Sequence, residues 1–358
     1  QQSIHVFSSN YALYADLSAK MMATITAFAP NSHIYSIDEC FLDMRHCDRV
    51  ETDLQAFGQR VRQTVWKECR LPVCFGAGHT LTLAKMANRS AKVDKALQGV
   101  CIIDSEQKRQ QYLAMHPVSE VWGIGRKLTK RLQWMGIHSA LDLANLPPEQ
   151  ARRSFNVEVE RTLRELNGEP CKVWDECRAD KQQIFSTRSV GQRITTLEEL
   201  KQALAFHVAT VGKKARNQKS ACSMLMVFAN TSPYDAVPQS FKETFKFEYP
   251  TSDTTRLTAA VSSIAERLYR DGVQYYKIGV GAIGLVSDRQ RQIDLFSSPE
   301  SPALMKALDA LNTKFGRDAV FLAAQGTTQN WQMSRDFLSP QYTTCLLYTS
   351  PSPRDTRE

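Results

Sequence analysis

The most informative pattern in the chain is Ser36-Ile37-Asp38-Glu39-Cys40-Phe41-Leu42-Asp43. Short β-type runs flank its two adjacent carboxylates, Asp38 and Glu39. Neighbouring anions repel each other and are costly to bury, so solvent or a divalent cation must neutralise them. Carboxylate oxygens suit Mg²⁺, which takes one or two carboxylates together with substrate phosphates. The spacing alone leaves a second interpretation open, which is a polar hairpin turn without chemistry.

Helical and strand patterns alternate around this stretch. Apolar spacing predicts helices over 16–29, 54–65 and 81–91, and β-type runs predict strands over 33–36, 71–76 and 99–103. This alternation favours a sheet layered with helices. From 109 to about 170 the strand pattern is absent, which predicts a small all-helical unit.

The second half of the chain has a different order. A polar, charge-mixed stretch over 172–183 is typical of a linker. Residues 184–286 then read strand, helix, strand, strand, helix, strand, which is the ferredoxin-like order. Residues 287–344 are mixed in character, with one short helix predicted near 302–314.

Charge is concentrated rather than spread evenly. The formal net charge is +8 with a pI near 9.0, and residues 181–219 hold eight basic side chains against two acidic ones. Such a stripe is typical of nucleic-acid binding, although a solvated helix face has a similar composition. The nine cysteines include no Cys-x-x-Cys pair, which favours free thiols. No apolar run is long enough to span a membrane, and we expect no membrane partner.

A glycine pair precedes a basic helix in the predicted helical unit. Gly123 and Gly125 are followed by Arg126 and Lys127 in a pattern typical of a helix–hairpin–helix motif. Glycines let backbone N–H groups at a helix N-terminus approach a phosphate closely, and the helix dipole favours the anion. A tight turn of no function has the same glycine spacing.

Taken together, these motifs resemble the Y-family of translesion DNA polymerases, of the UmuC type. Residues 36–43 resemble the palm signature, and the match continues in 76–92 and, upstream, in 7–16. The resemblance implies an α+β fold, an incomplete right hand with a mixed palm sheet covered by helices. The implied divisions are the end of the fingers at 1–15, palm at 16–108, helical thumb at 109–171, linker at 172–183, ferredoxin-like little finger at 184–286 and a C-terminal region at 287–344.

The resemblance also implies catalytic roles. Asp38 and Glu39 would bind two Mg²⁺ ions, and Lys92 would contact the triphosphate of the incoming dNTP. Lys85 has a weaker case and reads as a surface residue. Leu81 stands where this family is expected to have a lysine, which puts a substrate contact at that position in doubt.

For DNA, the resemblance implies two holding elements. The thumb would grip primer–template DNA through Gly123, Gly125, Arg126 and Lys127. The little finger would follow the backbone through five basic residues, which are Arg188, Arg193, Lys213, Lys214 and Arg216. Contacts to phosphates position a protein and read no sequence.

Further partners follow from the same resemblance. Gln292, Leu295 and Phe296 are similar to the sliding-clamp-binding peptide of bacterial polymerases. Residues 167–171 and 311–344 favour the UmuC type, which implies a processed UmuD dimer and a RecA filament as partners. The expected function is error-prone synthesis across damaged DNA in the SOS response, in the bacterial cytoplasm.

Two features at the ends of the chain bear on these expectations. The family begins with a strand that carries a further metal-binding aspartate, and this chain contains no counterpart, so we expect it to be catalytically incomplete as it stands. Residues 345–358 continue no earlier pattern and resemble translated adapter sequence.

Two rival functions remain. A palm-type nucleotide cyclase uses a similar carboxylate site but needs neither the helix–hairpin–helix motif nor the basic stripe. A non-catalytic DNA-binding protein would bind duplex DNA without adding nucleotides.

Overall fold

The computed structural model describes residues 4–47, 49–173, 180–288, 300–316, 318–333, 335–340 and 342–343. These residues form two compact units, Gln1–Glu176 with Phe337–Glu358 (unit 1) and Cys177–Asp336 (unit 2). No helix in the described ranges is long and apolar enough to cross a membrane. All seven cysteines in those ranges are free, as expected.

Unit 1 begins with short strands between helices. Its first elements are α1 (Tyr11–Thr26), β1 (Asn31–Ile34), β2 (Cys40–Asp43), α2 (Leu54–Cys69), β3 (Phe75–Gly78), α3 (Leu81–Val93) and β4 (Val100–Ile103). Side chains of Asp53 and Thr80 cap the first turns of α2 and α3, which sets where these helices begin. The predicted alternation of helices and strands is confirmed.

The strands of unit 1 were expected in one mixed sheet, and the described ones pair as two separate ribbons. β1 and β2 are antiparallel, with Ile34 opposite Cys40, and β3 and β4 are parallel. A cavity of about 1300 Å³ is lined by residues of both ribbons, so space rather than backbone hydrogen bonds lies between them.

Glycine allows β3 to lie against α3. A Cβ atom added at Gly76 would lie 2.1 Å from the backbone N of Asn88, a distance that no side chain tolerates. The close approach brings the cavity-facing side of α3 beside the β1–β2 ribbon, while Leu83, Met86 and Ala87 on its other side are buried in the core.

The rest of unit 1 is helical, as predicted. It comprises α4 (Glu106–Met115), α5 (Arg126–Trp134), α6 (Ala140–Ala144), α7 (Pro148–Ser154) and α8 (Val157–Leu166). Leu113, Leu132 and Leu163 from these helices share one buried cluster with residues of α3 and β4. The segments predicted as palm and thumb therefore have a common core.

Unit 2 contains β5 (Gln183–Ile194), α9 (Leu197–Asn217), β6 (Ser220–Asn230), β7 (Ser240–Thr251), α10 (Thr254–Leu268), β8 (Tyr275–Ser287) and α11 (Pro302–Lys314). The predicted order of strands and helices and the predicted short helix are confirmed. The sheet order is β5-β8-β6-β7, with every neighbouring pair antiparallel. The second and fourth strands of this unit, β6 and β8, are therefore central in the sheet, whereas the first and third strands are central in ferredoxin itself. Helices α9 and α10 pack on this sheet in one continuous core.

The C-terminal segment of unit 2 packs against the same core. Trp331 is buried, its carbonyl accepts a hydrogen bond from Gly191 N at 3.0 Å, and its ring lies 5.4 Å from that of Phe206. Met305 of α11 is also buried. These contacts make residues 302–331 part of unit 2 rather than an appendage.

Candidate active site and nucleic-acid interface

Asp38 and Glu39 occupy the turn between β1 and β2. The backbone N–H groups of Tyr35 and Ser36 both donate to the carbonyl of Glu39 at 3.0 Å, which closes the turn. The hydroxyl of Ser36 donates to Asp38 Oδ1 at 2.5 Å. Both carboxylate residues also line the 1300 Å³ cavity. The two interpretations of the sequence thus describe one place, a hairpin turn that presents two carboxylates to a cavity.

A lysine from α3 neutralises one of these carboxylates. Lys85 Nζ donates to Glu39 Oε1 at 2.8 Å and to Oε2 at 2.9 Å. The same ammonium lies 5.0 Å from the ring centroid of Tyr35 and 5.7 Å from that of Trp122. Its side chain is only 22% exposed, so the interpretation of Lys85 as a simple surface residue is wrong. Spacing along one helix could not reveal a partner that is distant in sequence.

Lys92 lies two turns farther along α3. It is exposed and lines the same cavity as Asp38 and Glu39. Asn88 lies between Lys85 and Lys92 and also lines the cavity. The structure therefore brings three of the predicted catalytic residues, Asp38, Glu39 and Lys92, to one space.

A divalent cation such as Mg²⁺ requires several oxygen ligands, of which the protein supplies only some. Among the residues that the structure describes, no group of three metal-ligating side chains comes together. Asp38 and Glu39 place two adjacent carboxylates on the cavity wall. Three other carboxylates on that wall pair with nearby cations, which are Asp43 with Arg45 at 2.6 Å, Glu51 with Arg60 at 2.5 Å and Asp104 with Lys108 at 3.0 Å. Two carboxylates suit Mg²⁺ where substrate phosphates and water complete the coordination, so these residues fit the ion.

Trp122 connects the hairpin to the helical part of unit 1. Its Nε1–H donates to the Tyr35 hydroxyl at 3.1 Å, and its ring lies 5.9 Å from that of Phe41. Lys172 Nζ lies 4.5 Å from the ring centroid, and burial lowers the pKa of this lysine. Lys172, predicted to begin a linker, also donates its backbone N–H to the buried Glu165 at 2.8 Å. No local pattern in the sequence indicated this cluster.

The predicted helix–hairpin–helix turn precedes α5. Gly123 has φ +91°, which is strained for any residue with a Cβ atom, and Gly125 is the N-cap of α5 without a side-chain cap. Arg126 and Lys127 are exposed on the first turn of α5. The helix immediately before the glycines is a single 3-10 turn, Val118–Glu120. The exposed backbone and cations at this end of α5 could bind a phosphate.

The basic residues predicted on unit 2 divide into two groups. Arg188 and Lys214 are exposed and Lys213 is half-buried, so all three can meet a ligand. Arg216 is engaged within unit 2, because its guanidinium binds Asp309 at 2.7 and 2.8 Å and is only 14% exposed, which does not support the predicted DNA contact. Arg193 binds Asp235 at 2.9 Å and lies over the Tyr276 ring, which ties most of its donors to unit 2 itself.

Sequence reasoning missed three exposed lysines on the side of the sheet away from α9 and α10. Lys242 and Lys246 alternate with Phe241, Phe245 and Phe247, which pack towards the core. Lys277 lies in register with Asn230, which pairs with Ser240, so it shares that side of the sheet. The alternation of Phe241, Phe245 and Phe247 with polar residues over 240–248, broken at Glu243, was the signal that could have revealed them. Gln292, Leu295 and Phe296 lie outside the described residues.

Comparisons with known proteins cover nearly the whole chain. Residues 1–89 match the impB/mucB/samB family, residues 181–295 match the impB/mucB/samB family C-terminal domain, and residues 302–347 match a domain of unknown function, DUF4113. Protein UmuC of Salmonella typhimurium is 39% identical over 94% of this chain and 82% of its own length. DNA polymerase IV of Moorella thermoacetica is 25% identical over 88% of this chain and 77% of its own.

A solved structure has the same fold. A Y-family DNA polymerase chimera of Dbh and Dpo4 superposes with a TM-score of 0.56 at 19% identity, covering 78% of each chain. The α+β class expected from the sequence is therefore confirmed.

Proposed function

The chain belongs to the impB/mucB/samB family, the UmuC-type Y-family DNA polymerases, and we propose that Asp38 and Glu39 are its catalytic carboxylates. Its function is error-prone translesion DNA synthesis, the work of a DNA-directed DNA polymerase. The observation that carries the proposal is the β1–β2 turn, which presents both carboxylates to the cavity that Lys92 also lines.

Divalent metal ions generally serve polymerases of this family, and we propose two Mg²⁺ ions here. When bound, such ions neutralise charge on the nucleotide phosphates and lower the pKa of the attacking hydroxyl. Asp38 and Glu39 would hold them, while the mobile ammonium of Lys92 would bind the triphosphate of the dNTP. Lys85 and Trp122 limit the freedom of Glu39 and of the hairpin that carries it.

We propose that the DNA contacts follow the predicted divisions of thumb and little finger. On α5, Gly123, Gly125, Arg126 and Lys127 would bind backbone phosphates. On unit 2 the contacts would come from six residues, Arg188, Lys213, Lys214, Lys242, Lys246 and Lys277. Support comes from the exposure of all of these residues except the half-buried Lys213, and from the absence of an acidic partner for Lys242 and Lys246 among the described residues.

Protein partners are proposed from the family alone. Gln292, Leu295 and Phe296 would bind a sliding clamp, and a processed UmuD dimer and a RecA filament would act with the polymerase. Replacing Leu295 and Phe296 with alanine should lower clamp-stimulated synthesis and leave clamp-independent synthesis unchanged. An equal loss without the clamp would assign these side chains to the folded core.

The catalytic proposal is tested by changing charge without changing size. In the complete protein, the double variant Asp38→Asn/Glu39→Gln should lose primer extension by a factor of about 10³ or more, because no anion remains to hold the ions. Primer–template affinity should change less than about twofold. Asp104→Asn is the matched control, since Asp104 lines the same cavity but pairs with Lys108 at 3.0 Å. Normal extension by the double variant would remove the assignment.

A further inference from the structure

Lys85 is held by attractions from three directions. Both oxygens of Glu39 accept from its ammonium, and the rings of Tyr35 and Trp122 lie within 5.7 Å of it. A cation over an aromatic face is attracted to the ring by about 0.5–2 kcal/mol, depending on how far it is desolvated. The two rings therefore add attraction to the position in which the ammonium contacts Glu39.

The same lysine belongs to a row of polar side chains on α3. Lys85, Asn88 and Lys92 stand at positions i, i+3 and i+7, which share one face of a helix. These three residues, with Glu39 and Trp122, line a second, smaller cavity of about 260 Å³. Lys85 and Lys92 are separated along the axis by about 10 Å at 1.5 Å per residue, so their long side chains can converge on one polyanion.

Competition for Glu39 follows from these contacts. Any cation that binds Glu39 must share or replace the ammonium, because Lys85 already contacts both carboxylate oxygens. A lysine released from its carboxylate would be a desolvated cation without a counter-ion, which is unfavourable. Phosphates bound by Lys92 could replace the lost counter-ion, because they would lie within reach of the flexible side chain of Lys85 on the same face of α3.

We propose that Lys85 exchanges partners during the reaction cycle, from the Glu39 carboxylate to the phosphates of the incoming nucleotide. This inference rests on the proposed function, in which Glu39 binds a divalent cation and Lys92 binds the triphosphate. Lys85 is then a second nucleotide-binding residue, which is available only after Glu39 has taken its cation. A Glu39–Lys85 pair that serves only to join the hairpin to α3 would show no such exchange.

Lysine footprinting tests the exchange without requiring catalysis. The folded chain is acetylated briefly with an N-hydroxysuccinimide ester, and the labelling rate of each lysine is read by peptide mass spectrometry. We expect MgCl₂ alone to raise the rate at Lys85 at least threefold, and added dATP to lower it again. Lys92 should respond to dATP and not to Mg²⁺ alone. Lys67, which is exposed on α2, is the control and should respond to neither.

The variant Glu39→Gln separates the possible outcomes. It should label rapidly at Lys85 without Mg²⁺ and show no further response to the ion. If Lys85 is labelled rapidly in this variant but its labelling rate in the wild type does not change with Mg²⁺, the Glu39–Lys85 pair is purely structural. The exchange would then be overturned. A wild type that responds to Mg²⁺ but shows no protection by dATP would also overturn it.

Primer extension by Glu39→Gln in the complete protein distinguishes this inference from the proposal on which it rests. Extension at the wild-type rate would remove Glu39 from the active site, whatever the labelling shows. The other outcome is an inactive Glu39→Gln variant together with a wild type in which Mg²⁺ does not change the labelling rate of Lys85. The assignment of Glu39 to the active site would then stand, and only the exchange would be refuted.

Discussion

The two units bury their apolar side chains in different ways. In unit 2, a four-stranded sheet and two helices share one continuous core that includes Leu204 and Tyr275. In unit 1, the buried residues form two clusters, one around Phe57 and Val65 and the other around Leu83 and its helical neighbours. The strands of unit 1 are likewise split into two ribbons.

The proposed active site lies where the core is divided. The 1300 Å³ cavity is lined by residues that belong to each of the two clusters of unit 1 or pack against them, and the carboxylates of the β1–β2 turn face it. A continuous core would have excluded water and made two adjacent anions costly. Unit 2 is therefore a stable platform, whereas in unit 1 the two carboxylates lie at the wall of a cavity bordered by both clusters.

The basic residues of the two units also differ in their surroundings. Arg216 and Arg193 of unit 2 pair with its own carboxylates, while the exposed Lys242, Lys246 and Lys277 lie on the open side of the sheet. In unit 1, Lys85 and Lys92 reach the cavity.

The largest expected effect is on the free energy of unfolding, when a leucine in each unit is shortened to alanine. Leu204→Ala in unit 2 should reduce the free energy of unfolding by about 2–5 kcal/mol, because Leu204 is fully buried in close-packed surroundings. Leu71→Ala in unit 1 should cost only about 1 kcal/mol, since Leu71 is partly buried and already borders the cavity. Hydrogen exchange of α9 and α2 peptides would report on each unit separately. Equal losses of unfolding free energy in the two variants would contradict the difference in packing between the two units.

A smaller effect is expected from the ion pair between Arg216 and Asp309, which the sequence did not reveal. Arg216→Met should destabilise unit 2 by about 2 kcal/mol, because it leaves the partly buried Asp309 without its cation. DNA affinity at a temperature where the variant is folded should be unchanged. Lys214→Met should do the opposite, weakening DNA binding without altering stability.

Chemical denaturation and fluorescence anisotropy on labelled duplex would measure both effects. Adding Asp309→Leu to Arg216→Met should recover part of the lost stability, since the unpaired charge is then removed. If Arg216→Met weakens DNA binding without changing stability, the prediction from the sequence that Arg216 contacts DNA would be supported.

How much the sequence predicted depends on the range of the interaction. The helices, the order of elements in unit 2 and the carboxylate turn follow from local patterns, and all were predicted. The partners of Lys85 and Arg216 were not predicted, because Glu39 and Asp309 lie 46 and 93 residues away in the chain. The order of strands in the sheet depends on packing between distant segments, and a linear pattern of strands and helices does not specify it.

The smallest effect would test whether the open side of the sheet in unit 2 meets DNA. Each lysine that neutralises a phosphate releases counterions, so log K falls with log[salt] by about 0.9 per contact. The double variant Lys242→Ala/Lys246→Ala should therefore flatten the salt dependence by roughly 2 in slope and weaken binding about threefold to tenfold near 150 mM salt.

The matched control removes the same charge from another part of unit 2. Lys306 and Lys314 of α11 are exposed, and Lys306→Ala/Lys314→Ala should leave the slope of log K against log[salt] unchanged if the sheet carries the contacts. Equal flattening by both double variants would mean that net charge rather than the sheet surface determines binding. The platform described for unit 2 would then have no particular DNA-facing side, and only its packing would distinguish it from unit 1.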